Sequence, residues 1–420
     1  MEKSCAEELI SFIDASPTCF HAVDNMKEML RKAGFVEVKE NEHWKIEKGG
    51  NYFVTRNDSA LIAFTIPLEY KKGVRIVASH SDSPALKIKE NPEMVSDGYI
   101  KLNVEGYGGL ICSQWFDRPL SVAGRVIIKD KETGKIVTKL VNFDKDMLVI
   151  PSLAIHMNRQ VNSGYNYNIQ KDMLPLYGDI TSRGTFMKAI NDVAGARVLG
   201  HDLFVYNRQK GIIWGASNEF VSCCRVDNLQ CAFSTLKGFI SGERKEHMSF
   251  YCVFDNEEVG SETKQGAAST FLHDTLTRVH ESLGLTKEDY FISLADGFMV
   301  SADNGHAVHP NYPEKCDPVN RPVINGGIVI KYNANQKYCT DGVSAAIFKD
   351  LCETAGVPTQ TFVNRSDIPG GSTLGNISNT KVSLNTVDIG LPQLAMHSTY
   401  ETTGVKDTYY LIKAMTEFFK

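Results

Sequence analysis

Five strand-like runs in this chain each lead into an acid or a histidine, and that repetition constrains the fold more than any other feature. Residues 74–79 run into His80 and Asp82, 222–226 lead to Asp227, and 248–254 reach the pair Glu257–Glu258. Residues 298–302 are followed by Asp303, and 394–396 by His397. If these runs are neighbouring strands of one sheet, their terminal side chains converge at its carboxyl edge, where open α/β sheets bind ligands. Two imidazoles and three carboxylates, one of them a bridge, suit two divalent ions sharing a water. The pattern points to co-catalytic metallohydrolase chemistry.

Taken one at a time, the motifs are ambiguous. His80 and Asp82 stand two apart after a buried strand, so both side chains can face the same way. One can bind an ion while the other orients it; a plain turn is the alternative. In Asp255-Asn256-Glu257-Glu258-Val259-Gly260-Ser261, two adjacent glutamates repel each other unless a cation or hydrogen bonds compensate. The functional reading divides the work: Glu258 binds metal and Glu257 acts as general base. A solvated acidic turn before a helix is the competing reading. Asp227 alone reads as a helix N-cap, and His397 as a satisfied core histidine. The weight lies in all of them sharing one structural context.

The remainder of the chain supplies that context. Ser4-x-x-Glu7 is a capping box ahead of Leu9, Ile10, Phe12 and Ile13, so a first helix is expected there, broken by Ser16-Pro17. A second helix is expected over 19–32, stopping at Gly34, and strands over 52–55, 61–65 and 74–79. From about 91 to 215 the texture changes to short β-like segments (99–104, 121–128, 135–141) with glycine and charged turns and scarce helical periodicity. We read 91–215 as an inserted, mostly β domain, and 1–90 plus 216–420 as the catalytic domain, an α/β fold with a mixed sheet flanked by helices. Helices are expected over 228–238, 266–284 and 342–355, with strands over 322–332, 360–363 and 381–387.

At 420 residues the chain exceeds one ordinary core. A net charge of −5 gives no electrostatic reason to expect nucleic-acid or anionic-membrane binding. The first residues lack the basic and apolar regions of a signal peptide, and no apolar run approaches the roughly 20 residues of a membrane span. The expectation is a cytoplasmic protein with its ten cysteines reduced, since none forms a C-x-x-C pair. Nucleophile-elbow, H-E-x-x-H and P-loop signatures are absent. Gly106-Tyr107-Gly108-Gly109 reads as a tight turn, whereas Gly370-Gly371-Ser372-Thr373-Leu374-Gly375 could offer backbone N–H groups to an anion or a substrate carbonyl.

Ordered along the chain, these blocks resemble the aspartyl aminopeptidase family of dinuclear metallo-aminopeptidases. The resemblance runs through Ala78-Ser79-His80-Ser81-Asp82-Ser83-Pro84, Gly106–Gly109 with Trp115-Phe116-Asp117-Arg118, and Leu153-Ala154-Ile155-His156. It continues in Arg225-Val226-Asp227-Asn228-Leu229, the Asp255–Ser261 block and Ser301-Ala302-Asp303-Asn304-Gly305-His306 through Tyr312. Lys331, Gly371-Ser372-Thr373 and Gln393-Leu394-Ala395-Met396-His397 complete it.

The resemblance implies two divalent metal ions per subunit, zinc first, with cobalt or manganese also suited to such donors. It implies Asp227 as bridge, His80 and Asp303 at one ion, and Glu258 and His397 at the other. Glu257 would be the general base and Asp82 would orient His80. His156 would reach a neighbouring subunit's active site, and Lys331 and His306 would line the substrate pocket. The implied activity releases the N-terminal residue of peptides with a free N-terminus, acidic Asp or Glu favoured and neutral residues also accommodated. The implied assembly is a homo-oligomer, a dodecamer built from dimers through the inserted dimerisation/lid domain. The alternatives are a related dinuclear amidohydrolase or carboxypeptidase, and a non-catalytic assembly protein on a peptidase scaffold.

Overall fold

A computed structural model describes residues 1–70 and 73–420. The chain forms two compact units: Met1–Asp82, Gly211–Met396 and Glu401–Lys420 make the larger, and Ser83–Lys210 with His397–Tyr400 the smaller. The sequence placed the insertion at 91–215. The smaller unit starts earlier because the strand Ala85–Ser96 pairs with Tyr99–Tyr107 and with Val198–Asn207, not with the larger unit's sheets.

Among the described residues the larger unit holds a nine-stranded mixed sheet. Its centre is three adjacent parallel strands in the order Ser249–Phe254, Arg75–His80, Phe298–Ala302, with Asn385–Gly390 parallel beyond them. Registers Phe254↔His80 and Ser301↔Ala78 bring the carboxyl ends of the three central strands to one edge. Alternation decides which side chains meet which helices. Val77, Tyr251, Val253 and Val300 join one core with the helices Glu2–Asp14, Cys19–Lys32, Val226–Ser241, Gly342–Ala355 and Val405–Phe418. Ile76, Ala78, Phe250, Cys252 and Met299 join the opposite core with Phe271, Leu272, Leu276 and Val279 of the helix Phe271–Ser282. A five-stranded sheet in the same unit joins Ile212–Trp214, Phe220–Cys223, Glu401–Gly404, Pro392–Leu394 and Gly305–His306.

Several expectations shift. The first helix begins at Glu2, with the Met1 carbonyl accepting from Cys5, so Ser4 lies inside it and caps nothing. Residues 266–270 stay outside the helix Phe271–Ser282, because Gly266 folds back on Ser261, where a Cβ would sit 2.1 Å from the Ser261 carbonyl oxygen. The smaller unit is a six-stranded antiparallel sheet, but it also carries the helix Thr185–Ala194, which packs Phe186, Ile190 and Ala194 into that unit's core. None of the ten cysteines is in a disulfide. Among the described residues no helix is long and apolar enough to cross a membrane.

The helix Val226–Ser241 lies close against Val405–Phe418, and Gly238 permits the approach: a Cβ there would meet Met415 Cβ at 2.3 Å and the Ile412 carbonyl oxygen at 3.0 Å. Gly238→Ala should therefore lower the urea midpoint, the overpacking cost of about 1–3 kcal/mol exceeding the helix-propensity gain of at most about 1 kcal/mol. An unchanged or raised midpoint would contradict this packing.

Candidate metal centre

His80 ends the central strand, buried to 1 % exposure. Its Nδ1 faces Asp82 twice, 3.2 Å from the main-chain carbonyl and 3.3 Å from Oδ1. An acceptor pair on that side holds a proton on Nδ1 and turns Nε2 toward the other acids. There Nε2 lies 3.4 Å from Asp227 Oδ1, 3.3 Å from Asp303 Oδ1 and 4.0 Å from Glu257 Oε2. Asp82 also organises the acidic pair: its two carboxylate oxygens accept the backbone N–H groups of Glu257 and Glu258, each at 3.2 Å. The short turn Glu257–Val259 that carries them follows Asn256 in the left-handed region at φ 62°, which asparagine tolerates.

One part of the expected geometry is corrected. His80, Glu257, Glu258 and Asp303 do follow three neighbouring strands of one sheet, but Asp227 and His397 do not. Asp227 follows Phe220–Cys223 of the five-stranded sheet, after a left-handed Arg225 at φ 56°. Its backbone and that of Asn228 are non-helical, so Asp227 precedes the regular helix. His397 comes after Pro392–Leu394 of that same sheet and belongs to the smaller unit. There its Nδ1 donates to the Gly109 carbonyl at 2.8 Å, leaving Nε2 as the lone-pair nitrogen. The Gly106–Gly109 segment thus does more than turn the chain.

The other expected residues are placed as follows. Lys331 is 3 % exposed, and its Nζ donates to the Asn304 carbonyl at 2.9 Å and lies 3.4 Å from Asp303 Oδ2. Its ammonium therefore backs an acid of the cluster. His306 is exposed, its ring centroid 6.2 Å from that of Phe362. His156 sits in an exposed turn of the smaller unit. The sequence reading missed the buried amides behind the cluster. Asn304 donates to Gln230 and Gln393, and Glu401 accepts the Asp227 N–H at 3.0 Å. The available signal was asparagine directly after Asp227, Asp255 and Asp303.

The charge balance shows what the cluster lacks. Burial raises Glu257 to about 8, His80 pulling it down and Asp303, Asp82 and Asp227 pushing it further up. Burial and Asp227 hold Glu258 well above the ordinary carboxyl range as well. For His80, burial disfavours the charge, but the carboxylates of Asp227, Asp303 and Asp82 overcome it and raise the ring well above its usual value. Buried acids that retain protons for want of positive charge are what a dication reverses. Distances agree. Ligand atoms on a tetrahedral ion with bonds of about 2.0–2.1 Å stand roughly 3.3 Å apart, whereas a charge-assisted N–H···O bond closes to about 2.7–2.9 Å. The 3.3 and 3.4 Å around Nε2 match that ligand spacing, as they match the 3.3 Å at which the ring meets Asp82.

Similarity to known proteins spans nearly the whole chain. A family model described as aminopeptidase I zinc metalloprotease (M18) matches residues 12–419. A probable M18 family aminopeptidase 2 from Clostridium acetobutylicum is 49% identical over 428 residues, spanning 100% of this chain and 99% of the relative. A chain of the cryo-EM structure of the Ape4 and Nbr1 complex superposes with a TM-score of 0.95 at 37% identity, covering 100% of this chain and 86% of that one. A chain of the S. cerevisiae mApe1 dodecamer superposes with a TM-score of 0.87 at 28% identity, covering 99% and 96%.

Because burial and the neighbouring acids raise Glu257, Glu258 and His80 when no cation is present, zinc added to chelator-treated protein at pH 7 should expel protons. A pH indicator in weak buffer measures it. Zinc uptake at pH 7 with no proton release would contradict the electrostatics.

Proposed function

The chain belongs to the aminopeptidase I zinc metalloprotease (M18) family, and from that membership we propose that its buried imidazole–carboxylate cluster holds two divalent ions and removes the N-terminal residue of peptides. The observation that carries this reading is His80, with Asp82 behind Nδ1 and two carboxylates at ion-ligand spacing around Nε2. In this reading Asp227 would be shared between the ions, His80 and Asp303 would help hold one, and Glu258 and His397 the other. When bound, the ions supply Lewis acidity, bringing water's ionisation toward neutral pH and polarising the scissile carbonyl.

Glu257 takes the proton from the attacking water and passes it to the leaving amine. It suits that task because it is buried beside the cluster and is held at its backbone by Asp82, which leaves its carboxyl to move protons. Positive charge beside it lowers its value from about 8 toward the neutral range, where a general base works best. The acids of the cluster receive the substrate's free α-ammonium, which restricts cleavage to the end of the peptide. Acidic N-terminal residues are favoured and neutral ones accommodated, with Lys331 and His306 as the polar groups of the pocket. The smaller unit mediates a homo-oligomer and presents His156 to a neighbouring subunit. The exposed position of His156 supports this, as does the dodecameric state of the S. cerevisiae mApe1 structure.

Glu257→Gln should retain both ions and the fold while kcat falls by about 10²–10⁴-fold. Activity within a few-fold of wild type, with both ions bound, would sink the assignment of the base. The substrate class has its own test: Asp- and Glu-anilides should be cleaved in preference to Leu-anilide, and the N-acetylated forms left intact. Cleavage of acetylated peptides would move the activity to an amidohydrolase.

A further inference from the structure

We propose that Asn228 is a positioning residue that fixes Asp227 and Asp303 at the separation a shared ion requires, an inference that rests on reading their cluster as a metal site. The two aspartates follow strands of different sheets, Phe220–Cys223 and Phe298–Ala302, and no direct strand pairing joins those strands. Their spacing must come from elsewhere. Asn228 is fully buried, and its side-chain amide spans the backbone on both sides of Asp303. Its Nδ2 donates to the Ala302 carbonyl at 2.9 Å, and its Oδ1 accepts the Asn304 N–H at 3.2 Å. Asn228 is also the next residue after Asp227. One planar amide therefore ties the backbone of one carboxylate to the backbone of the other.

The position demands a donor and an acceptor on one short, flat group. Aspartate has the shape without the donor, and alanine has neither group. Around this clasp the Asn304 side chain donates to Gln230 Oε1 at 2.8 Å and to Gln393 Oε1 at 2.9 Å, and accepts from the Cys231 thiol at 3.1 Å. Lys331 takes the Asn304 carbonyl, and Glu401 takes the Asp227 N–H. Neither ligand segment can shift without leaving buried polar groups unpaired. Asn228 itself bonds the main chain of residues 302 and 304 and so acts through the ligands it spaces.

The test uses cobalt(II) as probe on the full chain, wild type, Asn228→Ala and Asn228→Asp, with the dissociation constant and the visible d–d spectrum as readouts and circular dichroism as the check on folding. Support of an ion's ligands from behind is worth about 10–100-fold in affinity, so both variants should bind cobalt about 10–100-fold more weakly, with altered band intensities. Folded variants with the wild-type constant and spectrum overturn the inference. If Asn228→Ala does not fold, the isosteric Asn228→Asp carries the test; if neither folds, Asn228 serves folding and the inference is wrong. Wild-type protein that takes up no cobalt overturns the metal-site reading itself, and this inference with it.

Discussion

One imidazole surrounded by five buried or half-buried carboxylates is the constraint to which the surrounding structure answers. Asp82, Asp227, Asp303, Glu257 and Glu258 gather around His80, and Lys331 is the buried ammonium beside them. Buried negative charge on this scale is expensive unless cations offset it. The protein holds the acids in place with hydrogen bonds to their backbones: Asp82 grips Glu257 and Glu258, Glu401 grips Asp227, and Asn228 grips the peptides around Asp303. Such fixing keeps the carboxylate oxygens available while denying the acids freedom to move apart.

The fold makes this affordable through its central strands. Three adjacent parallel strands end in register, so His80, the glutamate pair and Asp303 need no long loops to meet. Apolar side chains alternate into cores on both faces, which anchors each strand before its polar end emerges. Close helix contact at Gly238 anchors the helix that begins after Asp227 in the same way.

Much of this was legible in the sequence, for local reasons. Unbroken apolar runs ending on acids and histidines gave away Arg75–His80, Ser249–Phe254 and Phe298–Ala302 because a doubly covered strand has few other compositions. The helix Gly342–Ala355 was legible through its apolar spacing, and Cys19–Lys32 through its stop at Gly34. What was not legible depends on tertiary partners. That Asp227 follows a strand of a second sheet is set by pairing between Phe220–Cys223 and Glu401–Gly404, 180 residues apart in sequence at Ser222 and Thr402. Residues 266–270 read as helix but are held by Ser261, and Ser4 lost its cap to a helix starting two residues earlier. Of the amides behind the cluster, Asn228 and Gln230 fell inside an expected helix, and an asparagine directly after an aspartate is too common to tell a clasp from a turn.

Anomalous diffraction at the zinc edge, from crystals grown with zinc, decides whether the cluster is a metal site. An ion should stand against His80 Nε2, Asp227 and Asp303, with the Nδ1 side of the ring still held by Asp82. Anomalous density elsewhere, with the His80 ring closed onto its carboxylates in ordinary hydrogen bonds, would contradict it.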